Sequence, residues 1–141
     1  MMSSSNQKNV WALSLLLLCL WPASGQSSVD RTADQILGRW QFPGRGSTID
    51  VYRTGDRYYG RIAEVSPTGL KQFGLAKDQL LIINLAYDGK GWSGGELIHP
   101  KTGNHLDVEI SLRDSKTASA IVYKGWRWLH KEYVLTRHPT S

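Results

Sequence analysis

The chain has 141 residues, 40% of them hydrophobic, with 17 Lys and Arg against 12 Asp and Glu and a formal net charge of +5 at pH 7. That length suits one domain with a sizeable core rather than several domains. The basic residues are scattered, not clustered, so no nucleic-acid-binding surface is expected.

Residues 1–25 read as a cleaved secretory signal peptide. Lys8 places positive charge near the amino terminus, and Val10 to Trp21 is an apolar run of 12 residues. Pro22 ends the run, and Ala23-Ser24-Gly25 supplies the small residues a signal peptidase reads. Crossing a bilayer takes about 20 apolar residues, which argues against the alternative of an uncleaved anchor and against an integral membrane protein. Cys19 is the single cysteine, and Leu16, Leu17 and Leu18 before it do not resemble a lipidation site. Cleavage after Gly25 leaves 26–141 as a single domain without a disulfide, a thiol nucleophile or a cysteine–zinc site. Losing Lys8 leaves 16 basic residues against 12 acidic ones, a charge of +4. Outside the cytoplasm, in the periplasm or the medium, anionic lipid or cell-wall polymer is the natural electrostatic partner. A monomer is expected.

Thr32-Ala33-Asp34-Gln35 fits a capping box with Thr32 as N-cap, which predicts one short helical turn. Gly38-Arg39-Trp40 then opens the first strand, and Thr136-Arg137 lies on the last. Together they read as a structural clasp that seals one end of a small barrel. Gly38 allows close backbone approach, while Arg137 stacks on the Trp40 indole and donates to loop carbonyls. Turn signals recur between them at Thr54-Gly55-Asp56, Asp88-Gly89, Pro100-Lys101-Thr102-Gly103, Asp114-Ser115 and Lys124-Gly125. Strands are predicted over 38–42, 47–54, 57–65, 79–87, 91–98, 104–113, 117–124 and 126–136. Eight strands joined by hairpins predict an all-β, antiparallel, up-and-down barrel.

Alternation marks the faces. Leu106, Val108, Ile110 and Leu112 share one side, and Asp107, Glu109, Ser111 and Arg113 share the other. Ile49 and Val51 likewise oppose Asp50 and Tyr52. Leu80 to Leu85 is apolar on both faces apart from Asn84, which fits a strand covered outside or one lying under a long loop. That loop is Ser66–Asp78. Leu70, Phe73 and Leu75 within it can pack over a barrel mouth, either as plain cover or as a ligand-gating lid.

Little here suggests catalysis. His99 and His105 flank the Pro100–Asn104 turn and face each other across a hairpin, but no third metal ligand is evident. No metal and no cofactor are therefore expected. His130 reads as a surface histidine on the last strand. The chain lacks a Gly-x-Ser-x-Gly elbow, a His-Glu-x-x-His pair and a phosphate loop. Asp107 and Glu109 share an outer strand face and would act as a glycosidase pair only if they lined a cleft. Carboxylate chemistry stands as an alternative, and the chain is expected not to be an enzyme. Trp126 and Trp128 alternate on the predicted strand 126–136 and would share one face. If that face is outside, it is a candidate binding surface.

Gly91-Trp92-Ser93-Gly94-Gly95-Glu96-Leu97-Ile98-His99-Pro100-Lys101-Thr102-Gly103 resembles the Trp-x-Gly-Gly, proline and glycine series of an exported bacterial family, domain of unknown function 2147. Gly38-Arg39-Trp40, Tyr59-Gly60-Arg61-Ile62 and Gly125-Trp126 match the family in order. The resemblance covers 36–137 and implies a lipocalin-like, or calycin, barrel with a capacity for small apolar ligands. The leading expectation is non-catalytic binding or carriage of a small apolar or amphipathic molecule, such as a lipid or fatty acid. Ile49, Val51, Leu97, Leu106, Val108 and Ile110 would line the interior, with Phe73 at the mouth. The alternative is a cell-envelope module that binds protein or glycan through exposed aromatics.

Overall fold

The computed structural model describes residues 28–44 and 46–139. The expected signal peptide lies outside them. Helix α1 (Ser28–Ala33) and a 3-10 turn (Asp34–Ile36) lead into β1 (Gly38–Gln41), β2 (Thr48–Thr54), β3 (Arg57–Glu64) and β4 (Leu80–Tyr87). There follow β5 (Trp92–Ile98), β6 (His105–Leu112), β7 (Thr117–Tyr123) and β8 (Lys131–Arg137). Each strand runs antiparallel to its chain neighbours, and β1 pairs with β8, closing an up-and-down barrel. The N-terminal helix and the β2–β3, β4–β5 and β6–β7 turns therefore meet at one end, the base. The β1–β2, β3–β4, β5–β6 and β7–β8 connections meet at the other, the mouth.

The base is sealed by large side chains. Trp40 and Trp92 are buried, and their indole N–H groups donate to the carbonyls of Ile36 (2.9 Å) and Ala33 (3.0 Å). This pins the N-terminal cover to the barrel. The Arg137 guanidinium lies 4.2 Å from the Trp40 ring centre and donates to the carbonyls of Leu37, Gln35 and Ser115. A Cβ at Gly38, whose φ is 122°, would stand 3.2 Å from that guanidinium.

Two sequence expectations need correction. Thr32 is not the N-cap: it sits inside α1, where its hydroxyl donates back to the Ser28 carbonyl (2.9 Å). Asp34 instead faces the barrel and accepts from Tyr58 Oη (2.7 Å) and Arg53 (2.9 Å). The last strand starts at Lys131, not at 126. Gly125 turns the chain with a φ of 80°, and the Trp126 and Leu129 amides bond to the Lys124 and Trp126 carbonyls, so 124–130 is a folded loop. Trp126, Trp128 and His130 are thus loop residues. The doubly apolar β4 is explained by irregular pairing. Tyr58, Gly60 and Arg61 pair with Leu85, Ile82 and Leu80, so β4 carries extra residues that break strict alternation. Asn84 adopts φ 60° within one of these bulges.

Candidate functional site

The two halves of the barrel are filled differently. Toward the base, Trp40, Tyr58 and Trp92 occupy the interior. Elsewhere the inward residues are smaller, among them Ile49, Ile82, Val108, Ala120 and Leu135. The space they leave is a cavity of about 580 Å³. That volume falls in the range of small-ligand sites, which are concave, mostly apolar and edged by a few polar groups.

Ile49, Phe73, Leu97, Leu106 and Val108 line this cavity. Val51 and Ile110 do not. Val51 pairs with Gly38 and Gly60, and Ile110 pairs with Trp92, which places both toward the filled base, where they are buried in the core. Sequence reasoning missed Ala120 and Val122 on β7, and Tyr133 and Leu135 on β8, all of which line the cavity. Their two-residue spacing carried the signal.

The 65–79 connection packs onto the mouth. It holds a single wide helical turn, Gly69–Phe73, which ends at Gly74 with φ 65°. Leu75 is buried and Phe73 half-buried, and both line the cavity, whereas Leu70 is 60% exposed. A fully buried serine seats the loop: Ser47 Oγ accepts from the Ser66 amide (2.9 Å) and lies 3.1 Å from Ser66 Oγ. Ser66 Oγ in turn accepts from the Gly69 amide (3.0 Å).

The charged part of the lining has one sign: Lys124 and Lys131 contribute to it and no carboxylate does, while His99, His130 and the hydroxyls of Ser47, Tyr123 and Tyr133 complete the polar edge. His99 Nδ1 accepts from the Lys101 and Thr102 amides (3.2 and 3.3 Å), which leaves the ring proton on Nε2. His130 Nδ1 lies 2.9 Å from the Arg127 carbonyl and so carries its own proton.

The other candidate groups are engaged elsewhere. His105 pairs with Glu96 (2.9 Å), outside the cavity lining, and does not share a site with His99. Among the described residues no group of three His, Cys, Asp or Glu is arranged to hold a metal. Glu109 accepts from Tyr123 Oη (2.9 Å) and Arg127 Nε (2.8 Å), and Asp107 is exposed. Neither carboxylate lines the cavity. Burial and the Glu109 carboxylate push the Tyr123 phenol upward, so it stays a neutral donor. Among the described residues no helix is long and apolar enough to cross a membrane.

The fold has a known counterpart. The chain is similar to protein HP1028 from the human pathogen Helicobacter pylori, which belongs to the lipocalin family, with a TM-score of 0.57 at 13% identity. The match covers 74% of this chain and 83% of that one, and it establishes a lipocalin-like barrel. No curated protein matches. Residues 38–137 match the family described as "Uncharacterized protein conserved in bacteria (DUF2147)", and the chain belongs to that family.

Proposed function

We propose that this protein is an exported, non-catalytic binder of a small amphipathic molecule with an apolar body and an anionic head, a fatty acid or related lipid. The observation that carries this reading is the cavity of about 580 Å³, apolar in depth and edged by His99, Lys124, His130 and Lys131 without a carboxylate. Each methylene moved from water into such a space contributes about 0.8 kcal/mol. A carboxylate or phosphate left at the rim would keep its charge beside lysines instead of being buried. A lipocalin-like barrel of eight strands is wide enough to hold one such ligand. Export is part of the proposal and rests on the apolar run Val10–Trp21 and the small residues after it.

The test is a titration of delipidated protein with a fluorescent acyl-chain probe bearing a carboxylate, beside native mass spectrometry of protein taken from its own compartment. One probe should bind per chain. Ala120→Phe should fill the cavity and weaken binding at least about ten-fold, or 1.4 kcal/mol, without unfolding the barrel. Lys124→Ala/Lys131→Ala should reduce the preference for the acid over the alcohol of equal chain length. No probe binding, or an Ala120→Phe protein that binds as tightly as wild type, would sink the proposal.

A further inference from the structure

Trp126, Trp128 and Leu129 are 67%, 77% and 68% exposed, on the β7–β8 loop at the mouth. The loop is folded rather than loose. Its turn is closed by the Leu129 amide on the Trp126 carbonyl (3.0 Å), and Arg127 is pinned to Glu109 on β6 (2.8 Å). The two indoles flank this pinned arginine, with ring centres 6.5 Å apart, and form one apolar patch. Leu129 belongs both to the patch and to the cavity lining, so the patch reaches the opening. Exposed Leu70 projects from another connection at the same end.

Charge divides along the barrel in the same sense. Among the described residues, the mouth connections carry Lys71, Lys77, Lys101, Lys124 and Arg127 against Asp78 alone. The base turns and the N-terminal segment carry Asp30, Asp34, Asp56, Asp88 and Asp114 against Arg31, Lys90, Arg113 and Lys116. The apolar residues therefore project from the end that is also positive.

We propose that the mouth docks on an anionic lipid bilayer, with Trp126, Trp128 and Leu129 entering the headgroup–acyl boundary and the surrounding lysines meeting lipid phosphates. Indoles favour that boundary because one end of the ring is apolar and the other carries an N–H donor. Basic groups near an anionic leaflet add attraction that fades within a Debye length. A glycan-stacking platform would use the indoles but has no need of the lysines. A bilayer uses both, and docking would set the open end of the cavity against acyl chains. The inference does not require the cavity to hold a ligand, so the two proposals fail separately.

The test is flotation of the full-length protein with vesicles of phosphatidylcholine alone and of phosphatidylcholine with phosphatidylglycerol. Every variant is matched in N terminus by intact mass and checked for fold by near-ultraviolet circular dichroism. The wild type should float with the anionic vesicles, shift its tryptophan emission to the blue and be released as salt is raised. Trp126→Ser/Trp128→Ser should lose at least about ten-fold in binding, with Trp126→Phe/Trp128→Phe between the two. Equal flotation of the serine double variant overturns the proposal. So does wild-type protein that ignores anionic vesicles, including protein that is retained instead on purified cell-wall glycan.

Discussion

Arg137 holds its guanidinium 4.2 Å from the centre of the Trp40 ring while donating to the carbonyls of Gln35, Leu37 and Ser115. One side chain on β8 thus joins β1, the N-terminal cover and the β6–β7 turn. Burial lowers its pKa, but a guanidinium stays charged at any ordinary pH. Arg137→Ala should cost about 2–4 kcal/mol in urea unfolding, from the lost stacking and from carbonyls left unpaired. Arg137→Lys should recover less than half, because an ammonium lacks the planar fork. Acyl-probe binding at the far end should persist in the folded fraction. A loss within error of zero would show that the base is closed by Trp40 and Trp92 alone.

The loop over the cavity depends on Ser47. Its hydroxyl is the acceptor for the Ser66 amide, and the residue is fully buried. Ser47→Ala should destabilise the protein by about 1–2 kcal/mol and speed amide hydrogen exchange across 66–75 more than in the strands. Uniform exchange across the barrel would mean that Leu75 and Phe73 hold the loop without it.

Gly95 is required for steric reasons. A Cβ there would stand 2.6 Å from the Ile83 carbonyl oxygen and 2.8 Å from Leu85 Cδ2, and the backbone contact leaves little room to adjust. Gly95→Ala should destabilise by about 2–4 kcal/mol in chemical denaturation, by forcing β4 and β5 apart. A change below about 1 kcal/mol would show that the β4 bulges absorb the methyl group.

Stability should fall at both ends of the pH scale. Burial, with the bond to Asp34, pushes the Tyr58 phenol from its ordinary 10.0 to about 12, against an opposing pull from Arg53. The unfolded chain ionises first, so the stabilisation from the neutral phenol is complete below pH 10 and is lost as pH rises through 12. Tyr58→Phe should flatten that alkaline decline, read as melting temperature against pH. In acid the sign reverses. The Arg39 partner holds Asp50 below its ordinary 3.8, and the Lys90 and Gly91 amides hold Asp88 below its own. Their contributions are present above 3.8 and fade as pH falls through the folded values. An alkaline decline unchanged in the Tyr58→Phe protein would assign it to another group.

Much of this architecture was legible because barrel strands write their inward face at every second residue. Ile49, Leu106 and Val108 could be placed from that period alone, and the clasp from the chemistry of Gly38, Trp40 and Arg137. What stayed hidden depends on side-chain bulk and loops. Alternation tells which side Val51 and Ile110 face, but not that the bulk of Trp40 and Trp92 fills the space beside them, while the small side chain of Ala120 leaves space next to it. The bulges of β4 shift phase inside a run of leucine and isoleucine, where every frame looks apolar. Trp126 and Trp128 kept a strand-like spacing inside a folded loop, and only the Gly125 turn and the late start of β8 separate the two cases.

The described chain enters at the base through the N-terminal cover and leaves at the base beside it, since Arg137 touches the Gln35 and Leu37 carbonyls. Anything joined to either end would hold the barrel from behind, like a cup held by its foot. A tag, a solid support or a neighbouring domain could be attached there without crowding the opening. Immobilisation through either end should therefore present the cavity and the tryptophan loop outward in every molecule.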